Sequence, residues 1–200
     1  MRGLLRSDAP PHWALTALRA HGEVKPVNSL MPGKDAPLLP GVGLLVMAQP
    51  RALAPQENVA LDGWVRQGGH LLLFADPLLT EDSAFGIGDR RRPQDVVLLS
   101  PILARWGLRL EFDGDQRPGE RLVEVDGEPL PVNLPGQLAI TGPRRGCSLL
   151  AAGVAAVCRI GQGRVLVLAD AALLEKERGS EPEGHRQALD RLVGRVSRDR

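Results

Sequence analysis

The sequence predicts an α/β fold, arranged as a three-layer sandwich in which a mostly parallel sheet lies between helices, with an antiparallel hairpin in the C-terminal part. Three observations lead to this prediction. Residues 41–77 have the pattern of a strand, a helix and a second strand. Two apolar runs, 154–160 and 164–169, flank a Gly-Gln-Gly turn, as in a hairpin. Apolar residues recur every three or four positions over 189–196, which indicates a final amphipathic helix.

The strand–helix–strand unit is the clearest part of the pattern. Residues 43–48 are almost all apolar, as expected of a parallel strand that is covered on both faces. Pro50 ends this strand, because proline cannot donate to a sheet ladder, and Pro55 suits the first turn of the following helix. Residues 70–74 form the second buried strand. Parallel strands joined by one helix make a βαβ unit, whose crossover is almost always right-handed.

The preceding residues predict a first helix and a short strand. Asp8 or Ala9 suits the helix cap, two prolines follow in its first turn, and the helix ends near Gly22. Residues 24–27 are then a strand candidate. A parallel α/β domain normally starts with a strand ahead of its first helix. Residues 1–6 barely supply one, which points to a truncated N-terminus.

The middle of the chain predicts a less regular β-rich insertion, over about 108–152, within one domain that covers residues 1–200. Ser100 is expected to cap a short helix with Pro101 in its first turn. The turn Asp126-Gly127 predicts a β-hairpin between its flanking apolar segments. The expected strands of this region are 108–112, 122–125, 129–134, 137–141 and 149–152.

Composition narrows the function classes. A formal charge of +1 and only six aromatic residues argue against a nucleic-acid-binding surface. The longest apolar run, 149–158, is about half of the roughly 20 residues that a membrane helix needs. The N-terminus lacks the continuous apolar segment of a secretory signal, so we expect a soluble chain, or a fragment without its export or anchoring segment.

Cys147 and Cys158 are the two cysteines. They form no Cys-x-x-Cys motif and have no neighbouring histidine cluster, so neither a metal site nor a cofactor is predicted. We expect both to be unpaired small apolar residues. A disulfide stays open as the alternative, because the two could lie on neighbouring hairpin strands.

Asp76 and Asp170 are the first candidate site, since each follows a predicted strand. Ligands of open α/β sheets bind beyond the carboxyl ends of the strands. The two carboxylates could therefore share a cleft, bind a divalent cation, or act as acid and base. The alternative, which we favour, is that each carboxylate caps the turn that follows it.

The loop over 86–95 is the second candidate, because Asp89 precedes three consecutive arginines, Arg90, Arg91 and Arg92. Such a run could clamp a phosphate or carboxylate, although a solvated or partner-facing loop is the interpretation that we favour. Neither turn that follows a predicted inner strand contains serine or cysteine, so no hydrolase nucleophile is expected. The four histidines match no catalytic or metal-binding spacing.

Two segments carry a resemblance to a known family: LLVMAQPRALAPQENVALDGWVRQGGHLLLFADP at 44–77 and GQGRVLVLADAALLE at 161–175. They resemble the auxiliary domain of uncharacterised ABC-type transport systems, similar to the gliding-motility-associated auxiliary proteins. That domain is a non-catalytic branch of the class I glutamine-amidotransferase-like superfamily. The resemblance covers 9–77 and 158–175 and implies a flavodoxin-like, class I glutamine-amidotransferase-like sheet.

The resemblance also implies where catalytic groups would stand. A working amidotransferase has its nucleophilic cysteine just after the strand 70–74, where this chain has Ala75-Asp76-Pro77. It also has a late His-x-Glu, whereas His185 stands in the sequence HRQAL. Without these groups, we expect no glutaminase activity and no enzyme.

The function implied is therefore a non-enzymatic ligand- or partner-binding auxiliary module of an ABC-type transport system. Its partners would be the permease, the ATPase or an associated membrane protein, on the periplasmic face of the inner membrane, with homo-oligomers also allowed. Two alternatives are a metal-dependent hydrolase or sugar-processing enzyme of the trehalose-utilisation type, which would use Asp76 and Asp170, and a structural assembly domain. The binding surface is expected at the carboxyl edge of the sheet, at Gln49, Asp76, Pro77, Asp89, Arg90, Arg91, Arg92 and Asp170.

Overall fold

A computed structural model describes residues 12–31, 38–81, 83, 85–86, 89, 92–142, 146–175 and 183–197. These residues form a mixed α/β fold with one five-stranded sheet, two small antiparallel sheets and four helices. The helices are α1 (Trp13–Arg19), α2 (Pro55–Arg66), α3 (Ser100–Arg105) and α4 (Glu183–Ser197). The strands are β1 (Leu44–Ala48), β2 (His70–Phe74), β3 (Leu108–Glu111), β4 (Arg121–Val125), β5 (Glu128–Val132), β6 (Gln137–Ile140), β7 (Cys147–Leu150), β8 (Ala155–Ile160) and β9 (Gly163–Leu168).

The five-stranded sheet has the order β1-β2-β9-β8-β7. Its first three strands are parallel, with Leu44 opposite His70 and His70 opposite Arg164. Strands β8 and β7 add in antiparallel fashion. The structure therefore confirms the parallel βαβ unit and the late antiparallel hairpin that the sequence predicts.

Helices cover both faces of this sheet, because alternate side chains of each inner strand point to opposite sides. Leu71 and Leu73 face one core, which also contains residues of α2 and α3. Leu72 and Phe74 face a second core, which contains residues of α1 and α4. Among the described residues, no helix is both long enough and apolar enough to cross a bilayer.

Two small sheets complete the fold. The hairpin of β4 and β5 turns at Asp126 and Gly127, whose φ angles of 55° and 79° are those of a tight hairpin turn. This hairpin confirms the turn expected from the sequence. Strands β3 and β6 pair antiparallel in the other small sheet.

Three local expectations were wrong or fall outside the described residues. Residues 24–27 are not a strand, because no ladder forms along them. Ser100 is the first helical residue of α3, and Leu99 holds the capping position. The cap of α1 is His12, whose Nδ1 atom accepts a hydrogen bond from the Ala14 amide at 3.2 Å, while Asp8 and Ala9 lie outside the described part.

The expectation of unpaired cysteines was also wrong. Cys147 and Cys158 form a disulfide. They stand directly opposite each other in the antiparallel pair of β7 and β8, with their Cα atoms 4.0 Å apart. The strand register therefore brings together two residues that are 11 positions apart in sequence.

A buried glutamate ties α2 to an earlier part of the chain. Glu57 is 2% exposed and accepts two hydrogen bonds of 2.7 Å from the Arg51 guanidinium. It also accepts from the amides of Ala54 and Leu30, each at 3.0 Å. These bonds, led by the pair with Arg51, lower the pKa of Glu57 to about 2. The carboxylate thus fixes the end of segment 23–30 against the start of α2.

Close backbone contact requires glycine at the start of β9. A Cβ atom on Gly163 would lie 2.0 Å from the Val65 carbonyl oxygen and 2.4 Å from that of Gly69. Both are backbone atoms, so neither can rotate away. The C-terminus of α2 and the start of β9 can therefore pack this tightly only with glycine here.

We expect Gly163→Ala to lower the free energy of unfolding by about 2–3 kcal/mol, because the new methyl group overpacks a rigid contact. Gly63→Ala is the matched control. A Cβ at Gly63, inside α2, meets nothing within 4 Å, so this change should stabilise the protein by about 0.5–1 kcal/mol. Urea unfolding measures both values. Equal stabilities for the two variants would contradict the contact.

Candidate functional site

Asp76 and Asp170 come together at the carboxyl edge of the sheet. Each lies two residues beyond the end of its strand, and β2 and β9 are adjacent and parallel. Both side chains are buried, at 0% and 2% exposure. Oδ2 of Asp76 accepts a hydrogen bond from the amide of Ala171, the residue after Asp170, at 3.0 Å. The two acids therefore share one site.

All four oxygens of this acid pair accept hydrogen bonds from backbone amides. Oδ1 of Asp76 accepts from Leu78 at 2.8 Å, and Oδ1 of Asp170 accepts from Ala172 at 2.7 Å. Oδ2 of Asp170 accepts from Asn133, just beyond β5, at 2.9 Å. Each acid thus closes its own turn through one oxygen and reaches a distant loop through the other.

Burial raises the pKa of both carboxyl groups. It raises the pKa of Asp170 to about 8, and the neighbouring Asp76 carboxylate adds to the rise, against the effect of the two amide bonds. Burial also raises the pKa of Asp76. The ionised form of Asp170 is therefore less favoured here than in an exposed aspartate.

Gln49 joins β1 to this site. Its Nε2 atom donates to the carbonyl oxygens of Asp76 at 2.9 Å and Gln94 at 2.8 Å, and its Oε1 atom accepts from the Asp76 amide at 2.9 Å. The residue has a φ of 44°, in the left-handed region that non-glycine residues seldom adopt. Gln49 therefore positions the loops beyond β1 and β2, and its amide is fully engaged.

The arginine loop is described only in part, and Arg90 and Arg91 lie outside the described residues. Arg92 is bound within the loop, donating to the Phe85 carbonyl at 3.0 Å and to the Asp95 carboxylate at 2.7 Å. The carbonyl of Asp89 accepts from the Arg92 amide at 3.0 Å. These contacts stabilise the conformation of the loop that contains Arg92.

Several polar residues near the acid pair carried no sequence signal. The Thr80 hydroxyl hydrogen-bonds to the Glu175 carboxylate, and burial raises the pKa of Glu175. His185 is buried between the Glu120 carboxylate, 3.0 Å from Nε2, and the Leu173 carbonyl, 3.1 Å from Nδ1. They are far apart in sequence, so no motif spacing could reveal them. Within the described ranges, no cluster of three or more His, Cys, Asp or Glu side chains is suited to a metal ion.

Beside the acid pair, three large apolar side chains are exposed to solvent. The segments 76–79 and 95–97 run side by side, joined by Leu79 N to Asp95 O at 2.9 Å and Val97 N to Asp76 O at 3.1 Å. We name the exposed side chains on and next to these segments the apolar loop patch. It consists of Leu78, Val96 and Leu98, exposed by 38%, 50% and 57%.

Comparison with known families gives one match, to the family described as Domain of unknown function (DUF4350), over residues 14–193. A search of curated proteins finds no match. Among solved structures, a cytoplasmic protein from Salmonella typhimurium is similar at 12% identity, covering 91% of this chain and 85% of that one, with a TM-score of 0.52. At this identity the similarity shows the fold alone.

Two glycosidases are also similar, with lower TM-scores. An exo-β-1,4-mannosidase from Opitutaceae bacterium strain TAV5 is 16% identical, covering 80% of this chain and 24% of that one, with a TM-score of 0.46. A GH42 β-galactosidase from G. stearothermophilus is 13% identical, covering 77% of this chain and 21% of that one, with a TM-score of 0.44. The chain thus spans about a quarter of the length of these enzymes or less.

We expect Asp170→Asn to make stability less dependent on pH. The pKa of Asp170 is about 8 in the folded protein and has its ordinary value of 3.8 in the unfolded chain. Between pH 3.8 and pH 8 the folded protein therefore binds more protons at this residue than the unfolded chain does. The contribution of Asp170 to stability is therefore complete below pH 3.8 and is lost as the pH rises towards 8. Asparagine cannot ionise, so the stability of wild type relative to the variant should fall from pH 5 to pH 8.

Urea unfolding at several pH values measures this difference. Asp115→Asn, at an exposed loop position, is the control and should follow the wild-type curve. If Asp170→Asn and wild type keep a constant stability difference over this range, the raised pKa is wrong.

Proposed function

This chain belongs to the DUF4350 family, and we propose that it is a non-enzymatic module that binds a protein partner at the carboxyl edge of its sheet. One observation carries the proposal: every carboxylate oxygen of Asp76 and Asp170 accepts a backbone amide. Carboxylates used in this way hold loops in place. The same edge then serves as a rigid base for a binding surface.

The apolar loop patch supplies the contact area for such a partner. Its side chains project from the segments that Asp76 and Gln49 hold, and Arg92 and Asp95 form an ion pair nearby. An exposed apolar group with charged neighbours is the usual arrangement of a protein interface, with an apolar centre and a polar rim. We therefore assign the patch to the contact with the partner.

For the partner we propose the permease or ATPase of an ABC-type transport system, or a membrane protein associated with it. This assignment comes from the family resemblance of segments 44–77 and 161–175, as does a flavodoxin-like, class I glutamine-amidotransferase-like arrangement of the sheet. The resemblance also suggests the periplasmic face of the inner membrane. The Cys147–Cys158 disulfide supports an oxidising compartment, because structural disulfides persist there.

A second candidate is the metal-dependent hydrolase or sugar-processing enzyme that would use the two aspartates. The observation in its favour is the raised pKa of both Asp76 and Asp170, since perturbed acid pairs are frequent at catalytic sites. The bonds from four backbone amides favour the binding module instead.

Asp76→Asn separates these two candidates. If Asp76 braces loops, the variant loses one amide acceptor and should lower the free energy of unfolding by about 1–2 kcal/mol. Thermal and urea unfolding measure the loss, and Asp115→Asn again serves as the control. A variant of unchanged stability that loses the binding of Mg²⁺ or Mn²⁺, measured by calorimetry, would contradict the loop-bracing role and support the metal-dependent candidate.

The partner proposal is tested by co-expressing the chain with the ATPase and permease of an ABC-type transport system from the same organism. We expect the wild-type chain to co-purify with them, and Val96→Asp/Leu98→Asp to reduce recovery at least tenfold, because charges are buried at the contact. Leu122→Asp, at a 65% exposed leucine in the separate β4–β5 sheet, is the matched control and should co-purify normally.

Three results would contradict this proposal. The first is a wild-type chain that associates with neither protein, and the second is a control that loses binding as strongly as the patch variant. A stable oligomer of the isolated chain, dissolved by the patch substitutions in light scattering, would instead indicate a structural assembly domain.

A further inference from the structure

A pocket lies at the amino end of β9, away from the acid pair. It has a volume of about 540 Å³ and is formed by the β4–β5 hairpin, α4 and the strands β8 and β9. Arg164, the second residue of β9, lines it, whereas Asp170 follows the other end of the same strand. The volume lies within the roughly 300–1,000 Å³ that is usual for small-molecule sites.

One part of the pocket wall is apolar and aliphatic. Ala188 and Leu192 come from α4 and are both buried, and they share a face of the helix because they are four positions apart. None of the described residues that line the pocket is aromatic. The hairpin and β8 supply the remaining apolar side chains, which are Val125, Pro129, Leu130 and Val157. This part of the wall therefore suits the aliphatic portion of a ligand.

The other part of the wall is charged. It carries two acids and three arginines, which are Asp126, Glu128, Arg164, Arg191 and Arg195. Arg195 forms an ion pair with Asp126. The side chains of Arg191 and Arg195 are 35% and 33% exposed, so they are partly shielded from water but still accessible to a ligand. Among the described lining residues the arginines outnumber the acids by one, and a group with a single negative charge would balance this excess.

Protein contacts hold two of these guanidinium groups in place. Nη1 of Arg164 donates to the carbonyl oxygen of Arg195, near the end of α4, at 3.3 Å. Nη2 of Arg191 donates to the Pro129 carbonyl at 2.7 Å, and its Nε atom lies 3.7 Å from Oε2 of Glu128. A guanidinium group has five N–H donors, so an arginine that is fixed in this way can also donate to a ligand.

The strand register brings a fourth arginine next to the pocket. Arg159 of β8 stands directly opposite Arg164 of β9 in their antiparallel pair. Side chains at directly opposite positions project from the same face of a sheet, and like charges at such positions destabilise the pair. An anion bound at Arg164 would reduce this repulsion.

We propose that this pocket binds a small aliphatic carboxylate, whose carboxylate group contacts Arg164 and Arg191. Its aliphatic chain then packs against Leu130, Val157 and Leu192. The planar guanidinium fork matches the geometry of a carboxylate, which can accept two parallel hydrogen bonds from one arginine. This inference is independent of the proposed function, because the acid pair and the apolar loop patch lie outside the pocket.

Isothermal titration calorimetry of the full 200-residue chain with octanoate tests the proposal. We expect one octanoate to bind per chain. Acetate lacks the aliphatic chain and octanol lacks the charge, so each should bind at least about tenfold more weakly, since the pocket offers both apolar and polar contacts. Inorganic phosphate should also bind more weakly, because it has no apolar part.

Two substitutions locate the carboxylate. Arg191→Gln and Arg164→Gln should each weaken octanoate binding at least about tenfold, because each removes a charge-assisted hydrogen bond. Arg191→Lys keeps the charge but not the planar fork, so it should weaken binding less than Arg191→Gln does. Arg109→Gln, at an exposed position of β3, removes the same charge elsewhere and is the matched control. Its affinity should equal that of wild type, and thermal unfolding shows whether each variant is folded.

A wild-type chain that does not bind octanoate would overturn the proposal. So would binding that both glutamine substitutions in the pocket leave unchanged, or binding that Arg109→Gln weakens as strongly as they do. Octanol that binds as tightly as octanoate would show that the arginines contribute nothing. Phosphate that binds as tightly would show a general anion site, and either result would also overturn the proposal.

Discussion

The fold depends on buried carboxyl and amide side chains that satisfy the backbone of its loops. Gln49, Asp76 and Asp170 follow the three parallel strands β1, β2 and β9. The loop backbone beyond these strands cannot reach the sheet ladder. An unpaired buried amide destabilises a protein by roughly 1–3 kcal/mol, so each of these hydrogen bonds removes a substantial penalty. The cost is the burial of two acids side by side, which is why the pKa of each is raised.

Buried acids join the helical layers in a related way, but with arginine partners. Glu57 receives the Arg51 guanidinium, and Asp62 accepts from Arg66 at 2.8 Å, Arg105 at 2.6 Å and the Trp106 indole at 3.0 Å. The second set connects α2 with α3. Paired acids of this kind remain ionised, whereas the carboxyl-edge acids have only amide donors. Buried acids therefore support the structure with two kinds of hydrogen-bond donor.

The sequence could predict the β1–α2–β2 unit and the β8–β9 hairpin, because continuous apolar runs and glycine turns are local signals. The meeting of Asp76 and Asp170 also follows from sequence, since parallel neighbours bring their carboxyl ends to one edge. The role of Gln49 could not be predicted, because its left-handed φ and its bonds to Asp76 and Gln94 arise only in the assembled loops. Thr80, Glu120, Glu175 and His185 meet only through tertiary packing. Residues 24–27 show the converse case, since local propensity predicts a strand but a ladder also requires a neighbour.

Because the sequence contains no tyrosine, the fluorescence of each of the three tryptophans can report on its own surroundings. Trp13 reports on the second core, because its ring lies 6.4 Å from that of His185 in α4. Trp106 is buried on the other face, and the ring of Trp64 stacks over the backbone of Gly69 at the end of α2. Ultraviolet emission from chains that retain a single indole would thus follow the loosening of each helical layer separately from the other.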